Sequence, residues 1–583
     1  MPRQLLFVVL IGLSAAIPPA PAAEPLPPRE AWVPQEGLLV LDVHDPGPIL
    51  NLLLDPKLVE AVKASPAYRA AELSPEFGEM TNAIQFLEAR LETKWPEGLA
   101  KLLGGGFTLA VGPEGTTLLL VDARDAEMLR ELNDVILFFA KGNAERRGDA
   151  EAVSSGEYRG VTGWKLGPNE VHTILDNRLL LSNKSEGLKA ALDLRAEPDR
   201  PGLARSPGYR AAKRAAGPGA AATLYVNSGV LKNLPQVQNA LAGDRNPLGV
   251  LLLAGVADAV QDSTWLGLAL DVSGDKLALR LATDGTVDPS GAGGFAIPPE
   301  AGGAMPNLVV PRGIAAMSFY RDLHGFYAAK DDLFPERTSG LIFFENMMGI
   351  FFTGRDLTEE VLAQIGSDVR LVVARQQYGP ENGTPAVQIP SFAAVFRMKD
   401  PEKFSRVAEE GWQKAVGLVN FTRGQQAQPG LIIDRPVHNG VKYTTAAFAP
   451  PEGEDRLAVD VRFNFSPSLA MTGEYLIFSS TAGLAEDLID ALGKETQQNA
   501  APLAGTHSLV ELDAAQLASI LGANREGMIR QNMVEKGNTR EQAEQEIGVL
   551  LTIIEHVGRV KLEVGIDGQQ TRAALEVELN LPK

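Results

Sequence analysis

Apolar residues along this chain follow two spacings, and the two alternate. Residues 173–194, TILDNRLLLSNKSEGLKAALDL, carry a short apolar run at Leu179, Leu180 and Leu181. A polar turn follows, and then a stretch in which Leu188, Ala191 and Leu192 recur at helical spacing. Residues 470–492, AMTGEYLIFSSTAGLAEDLIDAL, repeat the succession with Leu476, Ile477 and Phe478 in the run and Leu484, Leu488 and Leu492 on the helical face. Both stretches predict a strand, a turn and an amphipathic helix.

Other elements recur in the same order. An apolar strand at 38–44 has a counterpart at 314–320, and 101–111 has one at 362–373. Asp125 and Asp400 each stand where a helix N-cap belongs, because a short carboxylate can accept from the free N–H groups of the first turn. Tyr158-Arg159-Gly160-Val161 answers to His438-Asn439-Gly440-Val441. The strand 224–226 leads to Asn227 as 509–512 leads to Asp513, and closing hairpins turn at Ser273-Gly274 and at Asp567-Gly568. With Val33-Pro34 answering to Val310-Pro311 and Asp45 to Asp322, these make nine ordered matches and predict an internal duplication. The expected domains are 37–284 and 312–581, joined by 285–311, where Gly, Pro and Ala accumulate and helical period is lost. The fold class this implies is α+β: two similar halves, each a largely antiparallel sheet with packed helices.

Residues 341–352, LIFFENMMGIFF, break the amphipathic rule. Only Glu345, Asn346 and Gly349 interrupt the apolar positions, and they share one narrow face. At about 18 Å such a helix is too short to span a bilayer. A helix apolar nearly all round is expected to be buried. The competing reading is an apolar contact surface for a partner or a lipid, formed by Phe343, Phe344, Met347, Met348, Phe351 and Phe352.

Composition narrows the function classes. The 583 residues include no cysteine, which removes thiol catalysis, Cys-ligated zinc, Fe–S clusters and a lipoprotein anchor. A formal charge of −19 argues against nucleic acid as a partner. Residues 1–22 read as a signal peptide: Arg3 is the basic end, 5–13 the apolar core, and Ala20-Pro21-Ala22 the cleavage site. An exported protein of the periplasm or the extracellular space is the expectation.

Catalytic patterns are missing. The six histidines, His44, His172, His324, His438, His507 and His556, form no HExxH and do not repeat between halves, so each reads as a surface or sheet residue. There is no G-x-S-x-G and no Walker A loop, and Gly104-Gly105-Gly106 precedes a strand where a phosphate loop would follow one. Glu452, Glu454 and Asp455 cluster in a stretch peculiar to the second half and read as a solvated loop. No metal or cofactor is expected.

One resemblance joins these stretches. GRDLTEEVLAQIG at 354–366, Tyr158-x-Gly-Val, LDNRLLLSNKSEGL and the SPGYRAA helix before TLYVN together resemble a family of exported bacterial proteins of unknown function. That resemblance implies no activity and no site residues. The leading expectation is a non-enzymatic exported cell-envelope protein that binds or scaffolds. The alternatives are a carrier of an apolar ligand or lipid, with 341–352 as its lid, and a carboxylate-dependent hydrolase.

Overall fold

The computed structural model describes residues 26–64, 66–149, 152–167, 169–232, 251, 255–287, 292–300, 302–334, 338–379, 383–450, 458–567 and 570–580. The expected signal peptide, the Glu452–Glu454–Asp455 cluster and Gly568 lie outside them. The chain is α+β, as its apolar spacing predicts, and forms two compact units. The first draws on residues within 1–242 and 263–284, the second on residues within 243–262 and 285–580. Leu251 and residues 255–262, which the sequence pattern assigns to the first half, therefore group with the second unit. The physical reason is local: Leu251 packs against Ala296, Phe326 and Phe334 of the second unit, and its carbonyl accepts from Arg321 Nε at 2.5 Å.

In the first unit the strands are β1 (Leu39–Val43), β2 (Phe107–Val111), β3 (Thr117–Asp122), β4 (Val153–Tyr158), β5 (Val161–Leu166), β6 (Val171–Leu175), β7 (Arg178–Ser182), β8 (Ala222–Val226), β9 (Leu266–Ser273) and β10 (Lys276–Thr286). They pair in the order β10-β9-β8-β1-β2-β3-β7-β6-β5-β4, antiparallel throughout. Three helices matter here: α1 (Pro75–Leu91) between β1 and β2, α2 (Ala126–Arg146) after β3, and α3 (Ser185–Ala196) after β7. The core lies between α3 and the sheet. Leu120 and Leu180 are fully buried there beside Leu188, Ala191 and Leu192.

The second unit opens with α4 (Val256–Asp262). Its strands are β11 (Gly313–Tyr320), β12 (Ile365–Ala374), β13 (Ser391–Met398), β14 (Ile432–Asp434), β15 (Val437–His438), β16 (Val441–Lys442), β17 (Thr444–Ala447), β18 (Ser468–Thr472), β19 (Tyr475–Ser479), β20 (Thr506–Asp513), β21 (Val557–Asp567) and β22 (Gln570–Leu579). The sheet runs β22-β21-β20-β11-β12-β13-β19-β18-β17-β14, again antiparallel. Position by position this is the order of the first unit. Helices α5 (Thr338–Phe351), α6 (Pro401–Gln425) and α7 (Ala482–Gln498) stand where α1, α2 and α3 stand. Ile477, Leu484, Leu488 and Leu492 fill the core under α7.

Local chemistry explains the repeated element ends. The Asp125 side chain accepts from Met128 N at 2.9 Å and that of Asp400 from Lys403 N at 3.2 Å, capping α2 and α6. Both hairpin tips place two residues at positive φ: Arg159 at 52° and Gly160 at 74°, Asn439 at 47° and Gly440 at 80°. This pairing suits a two-residue turn joining right-twisted strands, and glycine takes the second place without a Cβ clash. Each tip is tied to the helix beneath it. Tyr158 and Arg159 donate to Asp193 of α3 at 2.9 and 2.8 Å, and Asn439 donates to Asp490 of α7 at 2.6 Å. In the second unit the tip hairpin is a separate pair, β15 with β16, because β14 and β17 pair directly behind it.

Candidate functional site

Helix α5 is not buried, and the expectation of burial is overturned. Its protein-facing side is a single stripe. Leu341 packs against the cluster of Ala296, Phe326 and Phe334, while Met348 and Phe352 pack against that of Phe404, Ala408 and Trp412. Gly411 allows α6 to come this close, since a Cβ there would meet the Phe352 ring at 3.0 Å. Glu345, the one charged residue of 341–352, is paired with Lys330 at 3.1 Å. Glu410 of α6 holds the end of the helix, accepting from Thr353 and pairing with Arg355 at 3.1 Å. Those hydrogen bonds, with one from Lys414, bring the Glu410 carboxyl down to about 2.

The other side faces outward. Phe343 is 71% exposed and Ile350 65%, and Ile342, Phe344 and Met347 are exposed beside them. Of the six predicted contact residues, the structure thus turns Phe343, Phe344 and Met347 outward, directs Met348 and Phe352 to the core, and leaves Phe351 half-buried. A single element supplies neighbours on only one side, so an all-round apolar helix keeps an apolar surface. Phe343→Ala should therefore shift stability by no more than about 0.5 kcal/mol, the range of surface substitutions, against about 3–5 kcal/mol for a buried phenylalanine. A urea melt of the variant checks this.

Sequence reasoning missed the rest of the surface. On α6, Leu418, Val419 and Phe421 are exposed beyond the buried first half of the helix. In the first unit, α1 exposes Met80 and Phe86, and α2 exposes Phe138 and Phe139. The Phe86 and Phe139 rings meet edge to face with centroids 5.8 Å apart, and Phe138 and Phe139 do so at 5.6 Å. Leu91, Leu132, Val135 and Ile136 pack together on the inner side. The run Val135-Ile136-Leu137-Phe138-Phe139 held the signal: five consecutive apolar residues cannot all lie on one helical stripe. Equivalent helix pairs, α1 with α2 and α5 with α6, thus carry exposed aromatic and aliphatic residues in both units.

The polar candidates serve the fold. Among the described residues no group of three or more His, Asp or Glu is placed to hold a metal ion. On α7, Glu486 accepts from the Tyr443 hydroxyl at 2.6 Å, Asp487 faces Arg312 at 3.7 Å, and Asp490 accepts from His438 at 2.9 Å. Burial raises the Asp487 carboxyl, with Asp490 and Glu486 adding repulsion. His324 stands 3.6 Å from Glu359, His44 3.9 Å from Asp42, and His556 Nδ1 2.7 Å from the Thr552 carbonyl.

His172 and His507 are buried, and burial lowers each to about 4. His172 Nε2 donates to Asn133 Oδ1 at 2.7 Å. Because the folded value lies below the unfolded 6.5, the folded state binds fewer protons. Stability is full above pH 6.5 and falls as the pH drops toward 4. The loss from His172 is about 2 kcal/mol at pH 5. Urea midpoints between pH 7 and 5 should show this slope, and His172→Gln should remove the share of His172 while that of His507 remains.

No family model matches the chain, and no curated protein does. Solved structures of TP0453 do: crystal form I at 11% identity, covering 44% of this chain and 77% of that one with a TM-score of 0.23. Crystal form III matches at 11% identity, 44% and 78% coverage and a TM-score of 0.24. Crystal form IV matches at 12% identity, 44% and 79% coverage and a TM-score of 0.23. At these TM-scores the likeness establishes neither fold nor function for this chain.

Proposed function

We propose that this chain is a non-enzymatic, exported cell-envelope protein that binds an apolar partner through helix pairs repeated by an internal duplication. The observation that carries the reading is the recurrence of exposed apolar residues on α1 and α2 and again on α5 and α6, between equivalent strands. Single exposed apolar residues are ordinary, whereas contiguous ones mark interaction surfaces. Fully burying one Phe, Ile or Met side chain stabilises by about 1.5–3 kcal/mol. A partner that covers α5 recovers part of that for each of its five exposed apolar side chains. The outward direction of these residues favours an external partner over a ligand enclosed under a lid. The identical strand orders and the paired turns at Gly160 and Gly440 support duplication, and residues 1–22 support export.

The test is a neutral fluorescent probe, N-phenyl-1-naphthylamine, titrated into the whole protein. Phe343→Ser with Ile350→Ser, and separately Phe138→Ser with Phe139→Ser, should each remove about half of the fluorescence gain, with thermal unfolding unchanged. Equal fluorescence in all variants would sink the reading. For export, mass spectrometry should find a mature start near Ala23, and an intact Met1 on cytosolic protein would count against it.

A further inference from the structure

We infer that the partner of α5 is a lipid surface of zwitterionic headgroups, which its outward arc meets side-on. This rests on the binding role proposed above and names the partner class for the second unit. At 100° per residue, Ile342, Ile350, Phe343 and Met347 spread over about 140° of the helix circumference, bordered by half-buried Phe351 and by Phe344, whose ring meets that of Tyr327 with centroids 6.4 Å apart. No charged residue lies in that arc: Glu345 is the only one of 341–352, and it sits at the edge of the packed stripe, neutralised by Lys330. A protein groove engages a stripe of roughly 100° and rims it with hydrogen bonds and charges. The arc is wider than that and offers only Asn346 as an exposed polar side chain within 341–352. Hydrocarbon surrounds a helix lying in the headgroup–acyl boundary and asks for neither hydrogen bonds nor counter-charges.

Charge then selects the headgroup. Interfacial helices that bind anionic lipid carry Lys and Arg along the polar face. Residues 338–352 contain neither, and the chain as a whole carries −19. Anionic vesicles should repel it, while zwitterionic ones present no net charge to oppose the apolar contact. At 14 residues α5 is about 21 Å long, so it lies along the surface and does not cross it. Among the described residues no helix is long and apolar enough to cross a membrane.

The experiment is co-sedimentation of the full chain with phosphatidylcholine vesicles, and with vesicles in which a third of the lipid is phosphatidylglycerol, at low salt. The expected result is binding to phosphatidylcholine, several-fold weaker binding to the anionic vesicles, and at least a tenfold loss for Phe343→Ser with Ile350→Ser. Ile350→Trp should keep binding, and brominated phosphatidylcholine should quench fluorescence that it leaves unchanged in the wild type. Stronger binding to the anionic vesicles overturns the headgroup assignment. Failure to sediment with either vesicle, while the neutral probe still binds, overturns the lipid assignment and leaves the apolar-binding role standing. Failure of both removes both. A concentration-dependent dimer in sedimentation velocity that Phe343→Ser abolishes assigns the arc to a second copy of this chain instead.

Discussion

Asp122→Ala should destabilise the first unit by about 3–5 kcal/mol, the cost of stranding a buried cation. Asp122 ends β3 and receives two guanidinium groups. Arg178 Nε and Nη2 donate to it at 2.5 and 2.8 Å, and Arg29 Nη1 at 3.0 Å. Arg178 is 2% exposed, lies over the Trp32 ring at 4.5 Å and also donates to the Pro27 carbonyl at 2.8 Å. Arg29 continues the network to Asp42 at 3.2 Å, and Thr108 donates to Asp42 at 2.6 Å. Two arginines and two aspartates balance in a largely buried site, with Asp122 the partly exposed member. Removing the Asp122 carboxylate leaves Arg178, itself 2% exposed, without its bidentate partner, so the loss exceeds the worth of any one hydrogen bond. Asp122→Asn keeps an acceptor and should cost less. Tryptophan fluorescence during urea unfolding reads this directly, since Trp32 touches Arg178 and four of the five tryptophans belong to the first unit. A midpoint unchanged within error would show that water enters the site freely.

Leu488→Ala should cost the second unit about 2–5 kcal/mol. Leu488 is fully buried at the centre of α7, among Ile477, Leu484 and Leu492. Its loss removes apolar contact and leaves a cavity that a helix pinned on both sides cannot close. The Thr481 side chain caps its start by accepting from Leu484 N at 3.3 Å, and Asp490 further along it holds the hairpin tip. The expected position in the range is therefore the upper half. Hydrogen exchange across 482–498 should speed up more than exchange in the first unit. Equal acceleration in both units would mean that they unfold together.

The two predictions differ in how visible their residues are in the sequence. Leu488 is legible: it falls at i+4 from Leu484 and i−4 from Leu492, and helical period alone turns it inward. Asp122, Arg29 and Arg178 are not. Arg29 and Asp122 are 93 residues apart and Arg178 and Asp122 are 56 apart, and nothing local marks them as partners among the 127 charged residues of the chain. Arg370 is the same case in the second unit: 1% exposed, it pairs with Asp368 two residues away and with Glu495 at a distance of 125 residues.

Reading residues in order was enough for whatever depends on neighbours a few positions away. The caps at Asp125 and Asp400, the strands around Leu180 and Ile477 and the faces of α3 and α7 all follow from capping geometry, backbone sterics and apolar period. Those signals also establish the α+β class. Exposure could not be read that way. Residues 341–352 are apolar on nearly every side, which as a string describes a buried helix. Only the packed unit shows that Leu341, Met348 and Phe352 find neighbours while Phe343 and Ile350 stay exposed. Periodicity reports which side chains would gain from leaving water, and the arrangement of distant elements decides which of them do.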